Sequence, residues 1–291
     1  MNLQSLFSEE IVLQTSLNGN ASDVWLVKTE SNEYVVRSSG VDDTIDAPFL
    51  WACRNLFGID LSQTYRIENI NILLEQITKN ISFPRVLQKE MIDGRQVIVV
   101  EKMNGEKSKF LNKSTGTMED FGKTMAEIHS YKLYECGCPY GDMRYPLEQF
   151  PEKLIEAIKV LTSRYYSSNP VITNQVDVYC TAALKMPIPK FASYIMLDMD
   201  PRQFLFNNNR VNAIVDTEAY VLGPREMDLV AIECSLDENG ARAFRKGYTK
   251  VLSFPELSQI RELYRFLFCL LEIKGPSYDL KRWLSHPHYF S

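Results

Sequence analysis

Over the first hundred positions, apolar residues come in short β-branched or aromatic runs cut by polar turn residues. Ile11 to Leu13, Val24 to Val27, Tyr34 to Arg37 and Val97 to Val100 are such runs, and side chains of that kind suit the half-buried pleated surface of a sheet. Asn18, Gly19 and Asn20, then Ser31 and Asn32, fall between them, and these residue types tolerate the backbone angles that reverse a chain. One stretch breaks the strand rhythm. Ile67, Ile70, Leu74 and Ile77 recur at spacings of three and four, which places them on one face of a helix that ends before Pro84.

From about residue 106 helical periods take over. Met118, Phe121, Met125 and Ile128 form one stripe, with Thr117 and Asp120 as a candidate capping pair at its start. A second helix is predicted from Pro146 through Leu147, Phe150, Leu154, Ile158, Leu161 and Tyr165, and a third over Ile260 to Leu271. Between these two, Phe204 to Phe206 and Val211 to Val215 flank Asn207, Asn208 and Asn209, a strand pair about a turn in which Asn accepts positive φ. The pattern predicts a small β-rich lobe with one helix over 1–103, its connecting strand ending near Glu101, and a larger helical lobe over 104–291 that carries one hairpin. A cleft between two such lobes is a common place for a ligand.

Composition narrows the partners. With 291 residues, 45% of them apolar, the chain can bury a sizeable core. A net charge of −5 argues against a nucleic-acid partner, which calls for a basic face to neutralise phosphates. A neutral or cationic small substrate suits it better. MNLQSLFSEE has neither the basic start nor the apolar core of a secretory signal. The longest apolar run, Phe266 to Leu271, falls well short of the roughly 20 residues that span a bilayer. The chain is therefore expected to be soluble and cytoplasmic, with no membrane partner. Its six cysteines (Cys53, Cys136, Cys138, Cys180, Cys234 and Cys269) are scattered and expected to be reduced. Cys136 and Cys138, with His286 and His288, raise the question of zinc, but there is no second cysteine pair to complete a four-ligand set.

The densest polar constellation lies in LDMDPRQFLFNNNRVNAIVDTEAYVLGPREMD, residues 197–228, where Asp198, Asp200, Asp216, Glu218 and Asp228 are embedded among apolar residues. Buried carboxylates need compensation. A divalent cation would supply it, and so would ion pairs with Arg202 or Arg225; residue types alone leave both open.

Four residues separate Asp198 from Gln203, and Asp216 follows on the far strand of the hairpin. This arrangement resembles the pattern HxDxxxxN followed by a hairpin-end Asp in aminoglycoside phosphotransferases, choline kinases and, more distantly, protein kinases. The resemblance implies an α+β, protein-kinase-like two-lobed fold, with a small antiparallel sheet lobe and a larger, mainly helical lobe. It places Asp198 as the catalytic base, Gln203 and Asp216 as magnesium ligands and Asp228, in EMDLVAIE, as a structural brace of the catalytic loop. FGKTMAEIHS, 121–130, is similar to the family's helix ending in His-Ser, with His129 at the matching place. Arg37 stands where the family has its phosphate-contacting lysine, and Glu68 where it has that lysine's ion-pair partner. VIVVEKMNGE, 97–106, resembles the linker whose backbone meets adenine, which puts Glu101 and Met103 against the nucleotide. ATP and Mg2+ are the implied cofactors, and a small molecule bearing a hydroxyl, aminoglycoside-like or an amino alcohol, the implied acceptor. Asp142, Glu148 and Glu152 could meet its amine.

Departures from the pattern bear on activity rather than on fold. Met196 and Leu197 stand where the family has His-Gly, Gln203 replaces asparagine, and Asp200 adds a second carboxylate beside Asp198. These changes keep open an alternative, a kinase-like pseudoenzyme that binds a nucleotide or a partner without transferring phosphate. A second alternative is the DxD motif of haloacid-dehalogenase phosphatases, with Asp198 as covalent nucleophile, but Arg202 stands where Thr or Val belongs and the motif lies far along the chain.

Overall fold

The computed structural model describes residues 1–17, 22–40, 45–107, 110–111, 113–141 and 143–290. Five antiparallel strands, β1 (Ile11–Ser16), β2 (Ser22–Thr29), β3 (Glu33–Ser39), β4 (Val86–Ile92) and β5 (Arg95–Glu101), make one sheet in the order β1-β2-β3-β5-β4. Each run expected to be a strand lies inside one of them. The turn at Gly19 lies outside the described residues. Because alternate side chains point to opposite faces, β3 and β5 feed two small cores. Val27, Val36, Val97 and Val99 pack with Leu3 and Leu6 on one face, while Ile98 and Val100 meet Ile67 on the other. Arg37 shares the second face with Val35, which turns it toward the cleft.

Two helices interrupt the sheet sequence, α1 (Pro48–Asn55) and α2 (Ile67–Ile77). The second follows the predicted stripe, with Ile67, Ile70 and Leu74 buried. The first has no counterpart in the hydrophobic pattern, being only eight residues long, with Pro48, Leu50, Ala52 and Cys53 buried. Ala52, Cys53, Leu56 and Phe57 belong to the core of the helical lobe, against α4 (Phe150–Tyr165). The chain thus touches the large lobe before it returns to complete the sheet.

The large lobe follows β6 (Glu106–Lys107). Its helices are α3 (Thr115–His129), α4, α5 (Pro170–Thr173), α6 (Val176–Lys185), α7 (Arg225–Glu233), α8 (Glu238–Tyr248), α9 (Arg261–Leu270) and α10 (Leu280–Ser285). Strands β7 (Glu135–Gly137), β8 (Arg144–Pro146), β9 (Ala192–Met196) and β12 (Tyr220–Pro224) form a sheet in the order β8-β7-β12-β9, and β10 (Phe204–Asn207) with β11 (Arg210–Ile214) is the predicted hairpin, extended by β6. Asn208 and Asn209 both take positive φ, 49° and 62°, as the turn requires. Two local expectations are corrected. Ser114, not a Thr117–Asp120 pair, caps α3 by accepting from Thr117 N–H, and Pro146 leads into a 3-10 turn (Leu147–Gln149) rather than into the α-helix itself.

Helices α3 and α8 meet through glycines. A Cβ on Gly122 would lie 2.0 Å from the Phe244 carbonyl oxygen, and one on Gly247 would lie 1.8 Å from that of Glu119. Backbone cannot retreat as a side chain can, so Gly247→Ala is expected to cost about 1–3 kcal/mol or more in denaturant unfolding by forcing the helices apart. Gly116→Ala, whose Cβ would meet nothing closer than the Ser114 hydroxyl at 3.8 Å, should stay within roughly 0.5 kcal/mol of the parent.

Candidate active site

Strand β9 is buried along its whole length and delivers the chain to Asp198. Its last residue is fixed by a polar network: Met196 N–H donates to both Asp228 oxygens, at 3.0 and 3.2 Å. The same carboxylate meets His129 Nε2 at 3.1 Å, His129 Nδ1 pairs with the Tyr248 hydroxyl at 3.0 Å, and Arg225 Nη1 donates to that hydroxyl at 3.0 Å. His129 and Asp228 are at most 1% exposed. Fully satisfied buried networks of this kind hold one geometry. Met196, where a bracing histidine was absent from the motif, is held instead through its main chain.

Beyond Met196 the loop is tied to itself. Asp200 caps a short 3-10 turn (Pro201–Gln203), accepting from Arg202 N–H at 2.8 Å and from the Arg202 guanidinium. Although burial would raise its pKa, these Arg202 contacts outweigh burial and hold the Asp200 carboxyl below its ordinary value. Asp198 is half-buried and accepts no hydrogen bond among the described residues. Burial first, then the neighbouring charges of Asp200, Glu218 and Asp216, push its pKa up to about 7, against a smaller opposing pull from Arg202. A carboxylate with that value can take up a proton near neutrality.

Across the cleft, Asp216 sits in the left-handed region, φ 60° and ψ 49°, unusual for a residue with a Cβ. Thr217, next to it, donates its hydroxyl to Asn71 on α2. Arg37 reaches over from β3: Nη1 lies 2.8 Å from Asp216 and Nη2 lies 2.5 Å from Glu218. Burial alone would lower the guanidinium pKa, but Glu218 and then Asp216 outweigh it and keep Arg37 charged. Gln203 is buried, its N–H bonded to the Asp200 carbonyl at 3.0 Å, and its side-chain oxygen has no hydrogen-bond partner.

These side chains line one cavity of about 310 Å³. Asp198, Gln203, Asp216 and Arg37, four of the residues singled out in the sequence, converge there, together with Asp200, Arg202 and Glu218. The other candidates do not. The expected Arg37–Glu68 ion pair is absent: Glu68 is paired with Lys89 of β4, while Arg37 turns to the far lobe. Glu101 is bonded to Arg85 and lies with Met103 along a separate depression that shares no lining residue with the first. Glu148 and Glu152 are exposed and outside the cavity, and Asp142 is not among the described residues. Lys107 lines the cavity and was missed. Its signal was weak, since only the pairing of β6 with β10, Lys107 opposite Leu205, carries it there.

Residues 14–263 match the model of the phosphotransferase enzyme family, APH. The chain belongs to this family. Solved phosphotransferase structures share its fold. The macrolide 2'-phosphotransferase MphH of Brachybacterium faecium superposes with a TM-score of 0.62 at 11% identity, covering 98% of this chain and 96% of that one. A spectinomycin phosphotransferase bound to ADP and spectinomycin gives 0.61 at 14% identity, covering 95% and 85%. A thermostable mutant of an aminoglycoside phosphotransferase, in ternary complex with AMP-PNP and hygromycin B, gives 0.62 at 13%, covering 97% and 93%. No curated protein matches by sequence. The kinase-like, two-lobed architecture expected from the motifs is therefore the observed one, and no helix among the described residues is long and apolar enough to cross a membrane.

Proposed function

We propose that this phosphotransferase family member moves the terminal phosphate of ATP onto a hydroxyl of a small, neutral or cationic molecule in the cytoplasm. The observation that carries the reading is the convergence of Asp198, Arg37, Gln203 and Asp216 on one cavity. Asp198, with its pKa about 7, orients the acceptor hydroxyl and takes its proton as that oxygen bonds to the terminal phosphorus and the bond from that phosphorus to the bridging oxygen breaks, releasing ADP. Arg37 contacts the phosphates by its fork. The family resemblance puts the adenine edge along the backbone near Glu101 and Met103, which border a neighbouring depression rather than this cavity. Gln203 and Asp216 are the residues that would hold magnesium. The unpartnered Gln203 oxygen is a donor that a hard cation accepts. Magnesium, when bound, neutralises charge on the phosphate oxygens. Two protein donors would not surround a cation, so a bound nucleotide's phosphate oxygens would have to supply further ligands.

The test is calorimetric. ATP with magnesium is expected to raise Tm by more than the separate increments combined, on the order of 5 °C or more at a hundredfold excess over Kd. Asp216→Ala should abolish that excess, and turnover should appear with some member of a panel of amino alcohols and aminoglycosides. Equal stabilisation by ATP with magnesium and with a chelator would remove the metal site, and binding without turnover on any acceptor would favour the pseudoenzyme.

A further inference from the structure

Helix α2 carries no carboxylate toward the cavity. Its buried positions are Ile67, Ile70, Asn71 and Leu74, while Glu68 is paired with Lys89 and Glu75 is exposed. Arg37 nevertheless lies buried with one acid on each terminal nitrogen, and both acids come from the segment after β11 in the opposite lobe. We propose that Glu218 is the positioning residue that aims Arg37 at the phosphates, across the cleft rather than from α2, and that Asp216 is the exchangeable partner, released when nucleotide and cation arrive. The inference rests on the nucleotide reading of the cavity given above.

Several observations separate the two acids. Glu218 is the less accessible, its side chain 20% exposed against 38% for Asp216, and its contact to Arg37 is the shorter. It also accepts from the Ser22 hydroxyl at 3.3 Å, at the start of β2. Glu218 is thus held by two small-lobe residues. Asp216 is held by Arg37 and opens to the cavity in a strained backbone conformation. Thr217 between them is anchored to Asn71, so the two side chains keep their separate directions. Charge balance points the same way. One guanidinium faces two carboxylates, leaving a surplus negative charge that an arriving cation offsets once Asp216 turns to it, with Glu218 still neutralising Arg37.

Titration calorimetry with AMP-PNP separates this from its competitors. Glu218→Gln is expected to weaken AMP-PNP binding roughly 10- to 100-fold, and by a similar factor with magnesium or with chelator, since the lost element orients a guanidinium. The effect should vanish in an Arg37→Met background, and Glu218→Asp, which keeps the charge on a shorter arm, should fall between. Circular dichroism melts of each variant check folding. In Glu218→Gln the guanidinium keeps its contact with Asp216, 2.8 Å away, so no unpaired buried charge is created and the variant is expected to fold. Wild-type affinity in Glu218→Gln, or a loss confined to magnesium-containing buffer, overturns the positioning role while leaving nucleotide binding intact. A parent protein that binds no AMP-PNP in either buffer overturns the nucleotide reading, and this inference with it.

Discussion

Replacing Asp198 by asparagine is expected to lower kcat by roughly 10²- to 10⁴-fold with little change in nucleotide affinity, the loss typical of a general base that acts only in the transition state. Asparagine keeps the side-chain shape and cannot take the proton. In the parent enzyme kcat/KM should fall with decreasing pH through about 7, where Asp198 becomes protonated. Asp200→Asn removes the largest charge that raises this value, so the acid limb should move to lower pH. The stability effect has the opposite sense to the activity effect. A carboxyl whose pKa is raised on folding stabilises the fold below its unfolded value, roughly 3.9, and that contribution is lost as pH rises toward 7. Asp198→Asn should therefore raise Tm above pH 7 while it lowers turnover, the trade expected of a charge kept for function. A pH-independent kcat/KM between 5 and 9 would remove Asp198 from the role of base.

Asp228→Ala should destabilise the protein by about 2–5 kcal/mol, because it orphans two buried donors or acceptors and opens a cavity. Those partners are Met196 N–H and His129 Nε2. Met196 ends the strand that delivers Asp198, so the remaining folded protein should also show a lower kcat, with KM for nucleotide less affected. Denaturant melts and initial rates at a temperature where the variant is folded measure the two effects separately. Loss of stability with unchanged kcat would confine Asp228 to the core.

Much of this site was legible because it is local. The distance from Asp198 to Gln203 is set by one loop, and Asp216 is brought back by a hairpin whose Asn turn is written in the residues. A motif of that kind survives any error in placing the lobes. The helix of His129 was legible in the same way, from the stripe that faces the core. Glu68 shows where the reading ends. Its position on α2 was right as an element, yet the helix anchors Thr217 through Asn71 and leaves Glu68 beside Lys89. One residue along a helix rotates a side chain by about 100°, so a family position transferred by sequence alone can land on the wrong face.

What the sequence by itself determined was four of the five small-lobe strands, the helices with a strong apolar stripe and the acids of the loop and hairpin, because periodicity and turn chemistry act over a few residues, whereas α1, α6 and α8 had no counterpart in it. Tertiary structure decided the charge partners. Arg37 meets Glu218 across 181 positions, and Asp228 meets His129 across 99. Such pairs are chosen by distances of 3 Å between segments that no local pattern relates, and burial then makes the choice energetically decisive, since an unpaired charge in that cleft would be far costlier than the same charge in water.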